Sequence, residues 1–389
     1  MKIKFLDLGM QPIANNFLLP SEIKDEFKFH LTVTFDTNTK LVSLGEFVPP
    51  ARMFNDTYTY HSSGSNTMTN HFRDTAKILK TKFNPETVLE IGSNDGVFIK
   101  NFDSNSVVAV EPCGNFANIT NALGYKTLEE FWTLPVAKQI VKENGSRDLI
   151  YAANCMCHIQ NLSEAFSAIE TCLSDNGVFV FEDPSLLQML DRGSYDQIYD
   201  EHAHVFSITA LKHLLANNGL QVFNVEKLSV HGGSNRVYAC KTGTRDIDAS
   251  VRNSLSEEDA VGIYNVDTYH NFAKRVEQSK HQLLCLLLEL KRRNFKIISY
   301  GATSKSTTVF NYCGIDDSLI DYIIDTTPSK QGKLSPGMHI PVVCREGNLS
   351  RVDYAFLGAW NYEEEICNKE NDFLKTGRFI THVPYVRLI

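Results

Sequence analysis

Cysteine is missing from the first 112 residues, and the nine that follow, from Cys113 to Cys367, include no CxxC pair. An odd, scattered set of this kind offers neither a disulfide framework nor a cysteine zinc knuckle, and it suits a reducing compartment. No apolar run approaches the roughly 18 residues needed to span a bilayer, the longest lying around Leu283–Leu288. The opening MKIKFLDLGMQPIANNF has no signal-peptide core, so the expectation is a soluble, cytoplasmic protein. Excess positive charge is absent too. Lys and Arg number 38 against 46 Asp and Glu, a net charge of −8, which argues against nucleic-acid and anionic-membrane partners. There is also no GxGxxG fingerprint, so a nicotinamide oxidoreductase ranks last among the α/β enzymes. What remains is a globular chain of 389 residues, long enough for two or three domains.

Four textures follow one another. Residues 1–75 mix short β-like runs (LTVTFD, KLVSLGEFV) with a Tyr/Ser/His-rich stretch, and read as a small N-terminal lobe. Over residues 76–245, strand signals (TVLEIGSNDG, SVVAVEP, DLIYAANCMCHI, GVFVFEDP) alternate with helical spacing, which predicts βαβ units around a parallel sheet. Residues 246–294 contain a long amphipathic pattern rich in Leu, Lys and Arg, read as a linker helix. The βαβ texture resumes over 295–389. The fold class is therefore α/β, with a Rossmann-like central domain, a small N-terminal lobe and a second Rossmann-like domain.

The turn Glu90-Ile91-Gly92-Ser93-Asn94-Asp95-Gly96 joins an apolar strand to a following helix-like segment. Glycine there lets backbone approach a ligand with no Cβ in the way, at the carboxyl ends of the strands where open α/β sheets bind. About twenty residues on, SVVAV ends in Glu111, a carboxylate suited to both hydroxyls of a ribose. A strand, an acidic residue, GxxxG and a strand-terminal Glu is similar to the arrangement in S-adenosylmethionine methyltransferases. Gly92 and Gly96 would shape the loop, and Asp95 would fix it or meet the methionine moiety.

Tyr199, Glu201 and His202 stand within four residues, a possible base with an orienting carboxylate. His158 closes a predicted strand at the same sheet edge, whereas Tyr60 reaches that edge only if the N-terminal lobe folds over it. His202, His204, His158 and Glu201 also suit zinc or iron, but extended backbone would turn His202 and His204 to opposite faces. No metal is expected. The His231-Gly232-Gly233 turn is either a plain hairpin or, with Arg236, a diphosphate contact. Between a strand and a helix, Tyr300-Gly301-Ala302-Thr303-Ser304-Lys305 suits an anion, and Lys330 adds positive charge nearby. The second α/β lobe is therefore expected to hold one nucleotide diphosphate rather than a dinucleotide.

Taken in order, LDLGMQPIANNFL, TYTYHSSGSNTM, VLEIGSNDGVF, NCMCHIQNL, IYDEHAHVFS, VHGGSNRVYA, ISYGATSKSTTVFNYCGI, DTTPSKQGKLSPG and LGAWNY resemble the S-adenosylmethionine-dependent C-methyltransferases that branch nucleotide-linked deoxysugars. The resemblance runs over nearly the whole chain. It implies S-adenosylmethionine held by Gly92, Ser93, Asn94, Asp95, Gly96, Glu111 and Asn154. It implies a nucleoside-diphosphate 4-ketosugar held by His231, Arg236, Tyr300, Gly301, Ser304, Lys305 and Lys330, with methylation at carbon 3. His202 would be the base, beside Tyr199, Glu201, His158 and Tyr60, with His158 or a tyrosine stabilising an enolate. A monomer or homodimer is expected. The family normally opens with a lobe holding zinc on four cysteines; here Asp36 and Asn38 stand near one ligand pair, so packing must hold that lobe. An O- or N-methyltransferase of a related glycan precursor, or a non-catalytic sugar-nucleotide-binding module, are the alternatives.

Overall fold

The computed structural model describes residues 1–389, arranged around three sheets. β1 (Lys2–Pro12), β2 (Lys28–Asp36) and β3 (Val42–Leu44) form an antiparallel meander. In β2, Phe29, Leu31, Val33 and Phe35 are buried at every second position, the period of a strand with one covered face. Helix α1 (Asn66–Phe83) then leads into the central domain.

There the chain runs β4 (Val88–Ile91), β5 (Val107–Val110), α2 (Gly114–Ala122), β6 (Lys126–Leu128), α3 (Leu134–Asn144), β7 (Arg147–Ala153), α4 (Leu162–Cys172) and β8 (Leu173–Pro184). It continues through α5 (Leu186–Arg192), β9 (His204–Val205), α6 (Ile208–Ala216), β10 (Leu220–Leu228) and β11 (Ser234–Lys241). The sheet order is β10-β11-β8-β7-β4-β5-β6, parallel from β8 to β6, with β11 antiparallel to β8. This is the class I methyltransferase arrangement. The chain departs β4 first to one side, then to the other, so a crevice opens at the carboxyl ends of β4 and β7. The buried β4 and β5 read as continuous apolar runs because both faces are covered by helices. The segment around Tyr199–His204 does not follow a finished sheet; it precedes the β10–β11 hairpin, and β9 crosses to pair with β3 of the N-terminal lobe.

Two helices, α7 (Ala249–Val261) and α8 (Val266–Arg292), precede the third unit. That unit contains β12 (Ile297–Tyr300), α9 (Ser304–Cys313), β13 (Ile323–Ile324), β14 (Val342–Val343), β15 (Tyr354–Leu357), α10 (Glu363–Lys369), α11 (Asn371–Leu374), β16 (Arg378–Thr381) and β17 (Arg387–Leu388). Its sheet order is β14-β13-β12-β15-β16-β17, parallel except at β17. No helix of the structure is long and apolar enough to cross a membrane.

Helix α8 does more than link. Its Tyr269 stacks on Phe35 with ring centroids 4.3 Å apart and meets Phe5 at 5.0 Å. One apolar core runs from β1 and β2 through α8 into α9 and β12. At the other seam, the β10–β11 hairpin turn carries Gly232 at φ +85°, where a Cβ would lie 2.3 Å from the Trp360 ring. The Trp360 indole donates to Asp196 Oδ2 at 2.5 Å. Only glycine satisfies both the backbone and this approach.

The N-terminal lobe does not fit a zinc knuckle. Asp36 accepts a hydrogen bond from the Asn38 amide at 2.8 Å and lies 3.6 Å from the chain's amino group, while His30 is taken by Asp7 at 2.7 Å. Packing on α8 holds the lobe instead. Phe35→Ala should therefore cost about 3–5 kcal/mol in denaturant unfolding. Incubation with a chelator should leave the wild-type unfolding curve unmoved.

Candidate active site

A cleft of about 600 Å³ opens at the carboxyl ends of the central strands and is walled by all three units. That volume suits ligands of cofactor size. At one end, Gly92 at φ +73° ends β4, where a Cβ would sit 2.9 Å from Cys155 Sγ. The Asn94 amide donates to Glu111 Oε2 at 2.8 Å and the Cys113 amide to Glu111 Oε1 at 2.9 Å. Each carboxylate oxygen keeps a lone pair for a further donor. Burial pushes the Glu111 carboxyl up, and these amides pull it back. Ile91, Val110, Phe131 and Trp132 form an apolar slot beside it. A free-sided carboxylate next to an apolar slot fits the ribose and purine of S-adenosylmethionine.

Of the seven residues expected at the cofactor, Gly92, Asn94, Glu111 and Asn154 line the cleft. Ser93, Asp95 and Gly96 do not. Asp95 is occupied by Ser63, accepting from its amide at 3.2 Å and its hydroxyl at 2.5 Å. Gly96 shapes the turn, since a Cβ there would press within 2.9 Å of Thr120 Cγ2. Asn94 also accepts from the Ser62 amide at 2.9 Å and donates to the Tyr60 carbonyl at 3.0 Å. The glycine-rich turn thus straps the segment carrying Tyr58 and Tyr60 across the cleft, and both tyrosines line it.

At the other end stands His202. Its Nδ1 donates to the Gln197 carbonyl at 2.6 Å, because that carbonyl can only accept. The lone pair is therefore on Nε2, where the Tyr199 hydroxyl donates at 2.8 Å. Burial drives this imidazole well below its ordinary pKa, so it is neutral and basic-side out. His158 stacks on it with ring centroids 5.3 Å apart, with Phe54 on the far side at the same separation, and the His158 Nε2 has no partner. Burial lowers His158 to about 4.

Glu201 does not orient the imidazole as expected. Its carboxylate accepts from Asn15 at 2.6 Å and from the Tyr58 hydroxyl at 2.9 Å, and a backbone carbonyl sets the His202 tautomer. His204 lies apart, bonded to Ser43 at 2.8 Å. Cys157, His158 and His202 do bring three potential metal ligand atoms within 4.8 Å of one another. Both nitrogens of His202 are already engaged, and Cys157 is buried with its thiol pushed well up, so the group is not a ready thiolate site.

Of the residues expected at the sugar nucleotide, His231, Ser304, Lys305 and Lys330 line the cleft. Arg236 does not: it is buried in β11, bonded to Glu182 at 2.7 Å, Glu226 at 3.0 Å and Thr75 at 2.5 Å. Nor does Tyr300, whose hydroxyl donates to Glu370 at 2.7 Å. Gly301 also lies outside the lining. The following amide, Ala302 N–H, donates to Asp325 at 2.7 Å, and Asp325 also accepts from the Thr327 amide at 2.7 Å. A carboxylate of the protein itself therefore occupies the β12 turn, where a phosphate would otherwise meet amides.

Asn15, Tyr58, Trp132 and Gln197 were missed. Tyr58 had a signal, its place beside Tyr60 in TYTYHSS. Asn15 and Gln197 had none, since their roles depend on contacts distant in sequence or on a carbonyl.

The neutral, buried histidines make stability pH-dependent. Below pH about 6.5 the unfolded chain takes up protons that folded His158 refuses, so stability falls as pH drops toward 4. That residue alone should contribute a loss of about 3 kcal/mol by pH 4. His158→Gln should flatten that part of the profile in urea unfolding.

Three family profiles match the chain: a C-methyltransferase C-terminal domain over residues 229–384, a methyltransferase domain over 67–225, and a zinc binding domain over 1–54. The C-methyltransferase NovU of Streptomyces niveus is 31% identical over 393 residues, covering 99% of this chain and 93% of its own. Among solved structures, the PH0226 protein of Pyrococcus horikoshii OT3 aligns with TM-score 0.37 and 14% identity, over 51% of this chain and 100% of its own. An S-adenosylmethionine-dependent methyltransferase of Thermotoga maritima aligns with TM-score 0.36 and 17% identity, over 44% of this chain and 89% of its own.

Proposed function

Because the chain belongs to the C-methyltransferase family, we propose that it transfers a methyl group from S-adenosylmethionine to carbon 3 of a nucleoside-diphosphate 4-keto-deoxysugar, with His202 as the base. The observation that carries this reading is the His202 tautomer: Nδ1 is committed to the Gln197 carbonyl, and Nε2 offers its lone pair inside the cleft. Carbon is not a nucleophile until it loses a proton, and a neighbouring ketone makes that proton acidic. A neutral imidazole of fixed tautomer, its Nε2 lone pair held only by a hydroxyl that can let go, is the group this step needs.

When bound, S-adenosylmethionine supplies an electrophilic methyl group with a neutral thioether as leaving group. Asn94, Glu111 and Asn154 are the residues proposed to hold it, Glu111 through the ribose hydroxyls. His202 takes the C3 proton at Nε2, and the Gln197 carbonyl supports the charge that appears on the ring. Tyr199 gives up its hydrogen bond to Nε2 as the proton arrives. His158, its Nε2 unpartnered, donates to a substrate oxygen in the tautomer that carries the proton there. Tyr58, Tyr60 and the strap above the cleft keep water from the reacting carbon.

His202→Asn should lower kcat by about 10²–10⁴-fold while leaving donor binding intact, measured with labelled S-adenosylmethionine and by calorimetry. Glu111→Ala should do the reverse, weakening donor affinity with a smaller effect on saturated turnover. Labelling of candidate sugar nucleotides tests the acceptor. Transfer to oxygen or nitrogen, without exchange of a sugar C–H in deuterated water, would overturn the carbon-acid reading.

A further inference from the structure

Lys305, the second residue of α9, lines the cleft and has no hydrogen-bond or ion-pair partner in the protein. The other cleft lysine differs: Lys330 donates to the Ala302 carbonyl at 2.7 Å and lies over the Phe17 ring at 4.8 Å. The field of the Lys305 ammonium reaches His202, His231, Asp196 and Glu201. Geometry puts it on the same side: Thr308 of α9 donates to the Ile198 carbonyl at 3.3 Å, in the loop that carries His202, and Lys305 and His202 line one cleft. The nearby carboxylates do not bond to it: Asp196 accepts from Trp360 through Oδ2 and leaves Oδ1 unpartnered, and Glu201 accepts from Asn15 and Tyr58. A half-buried cation with no hydrogen-bond or ion-pair partner in the protein suits a negative charge that appears only during the reaction.

We propose that Lys305 is a catalytic residue whose ammonium pairs with the acceptor's ketone oxygen as that oxygen becomes an enolate, and not with the diphosphate. This rests on the keto-sugar reading above. The ketone oxygen is two bonds from the carbon that loses its proton, so its stabiliser must stand beside the base. When His202 Nε2 takes the C3 proton, the C–H pair becomes the C3–C4 double bond, and the carbonyl π pair moves to oxygen. Lys305 keeps its proton and neutralises that oxygen by charge. When carbon 3 forms its new bond, the carbonyl returns and the ammonium is again unpaired. The ammonium outweighs a neutral donor such as His158 because it adds a Coulomb attraction between two full charges.

The test measures exchange of the C3 proton in deuterated water, with dTDP-4-keto-6-deoxyglucose and its 2-deoxy analogue at saturation. Binding of dTDP is measured separately by calorimetry. Lys305→Met should slow exchange by about 10²–10³-fold with dTDP affinity unchanged, and Lys305→Arg should recover part of the rate. Exchange at the wild-type rate in Lys305→Met, or loss of its dTDP binding, would overturn the assignment. Should Lys305→Met fail to fold, Lys305→Gln is read the same way. Absence of exchange in the wild-type enzyme with either sugar would instead overturn the keto-sugar reading, and this inference with it.

Discussion

Residues Ala14 and Asn15 fasten the three units of the protein at one point. The Ala14 amide donates to Asp200 at 2.9 Å, the Asn15 side chain donates to Glu201 at 2.6 Å, and the Ala14 carbonyl accepts from Thr307 of α9 at 3.0 Å. The loop carrying His202 has little regular structure of its own. Its position comes from these bonds, from the pairing of β9 with β3, and from the bond between the Ile198 carbonyl and the Thr308 hydroxyl. The N-terminal lobe is thus a clamp on the loop that carries His202, built without thiol ligands. Its own cohesion is apolar, through Phe35 and Tyr269, and its polar edge is spent on the loop.

Desolvation sets the chemical character of the cleft. His158, His202 and His231 are all driven toward the neutral form by burial. Burial likewise favours the neutral form of Asp200 and Glu201 by raising their carboxyls, and hydrogen bonds from Ala14, Asn15 and Tyr58 oppose that shift. A wet site would leave histidine partly protonated near neutrality and its lone pair unusable. Here low polarity keeps the His202 ring neutral, its Nε2 lone pair taken only by the Tyr199 hydroxyl, and the tautomer is fixed by a backbone carbonyl that cannot titrate.

The central sheet was legible because its signals are local. The apolar runs VLEI and VVAV, the glycine turn after one and the glutamate after the other identify β4, β5 and their carboxyl ends without tertiary information. Charge partners were not legible, since sheet register and domain docking choose them. Arg236 lies directly opposite Glu182 in the β11–β8 ladder, a pairing no spacing in the sequence announces. Tyr300 finds Glu370 seventy positions away. Glu201 meets Asn15 across 186 positions and is thereby lost as a partner for its near neighbour His202. The second glycine turn misled for a related reason: Asp325, supplied by the neighbouring strand end, fills it.

The seam at Gly232 bears on how this molecule is divided as a heritable piece. Sheet membership assigns the β10–β11 hairpin to the central domain, yet the matched C-terminal profile begins at residue 229, at the hairpin turn, and runs past Trp360. The indole fits only where the hairpin lacks a Cβ, so the two positions cannot vary independently. In a chimaera between relatives, the natural crossover therefore falls ahead of the hairpin turn. A cut in the helices α7 and α8 would separate an indole from its glycine.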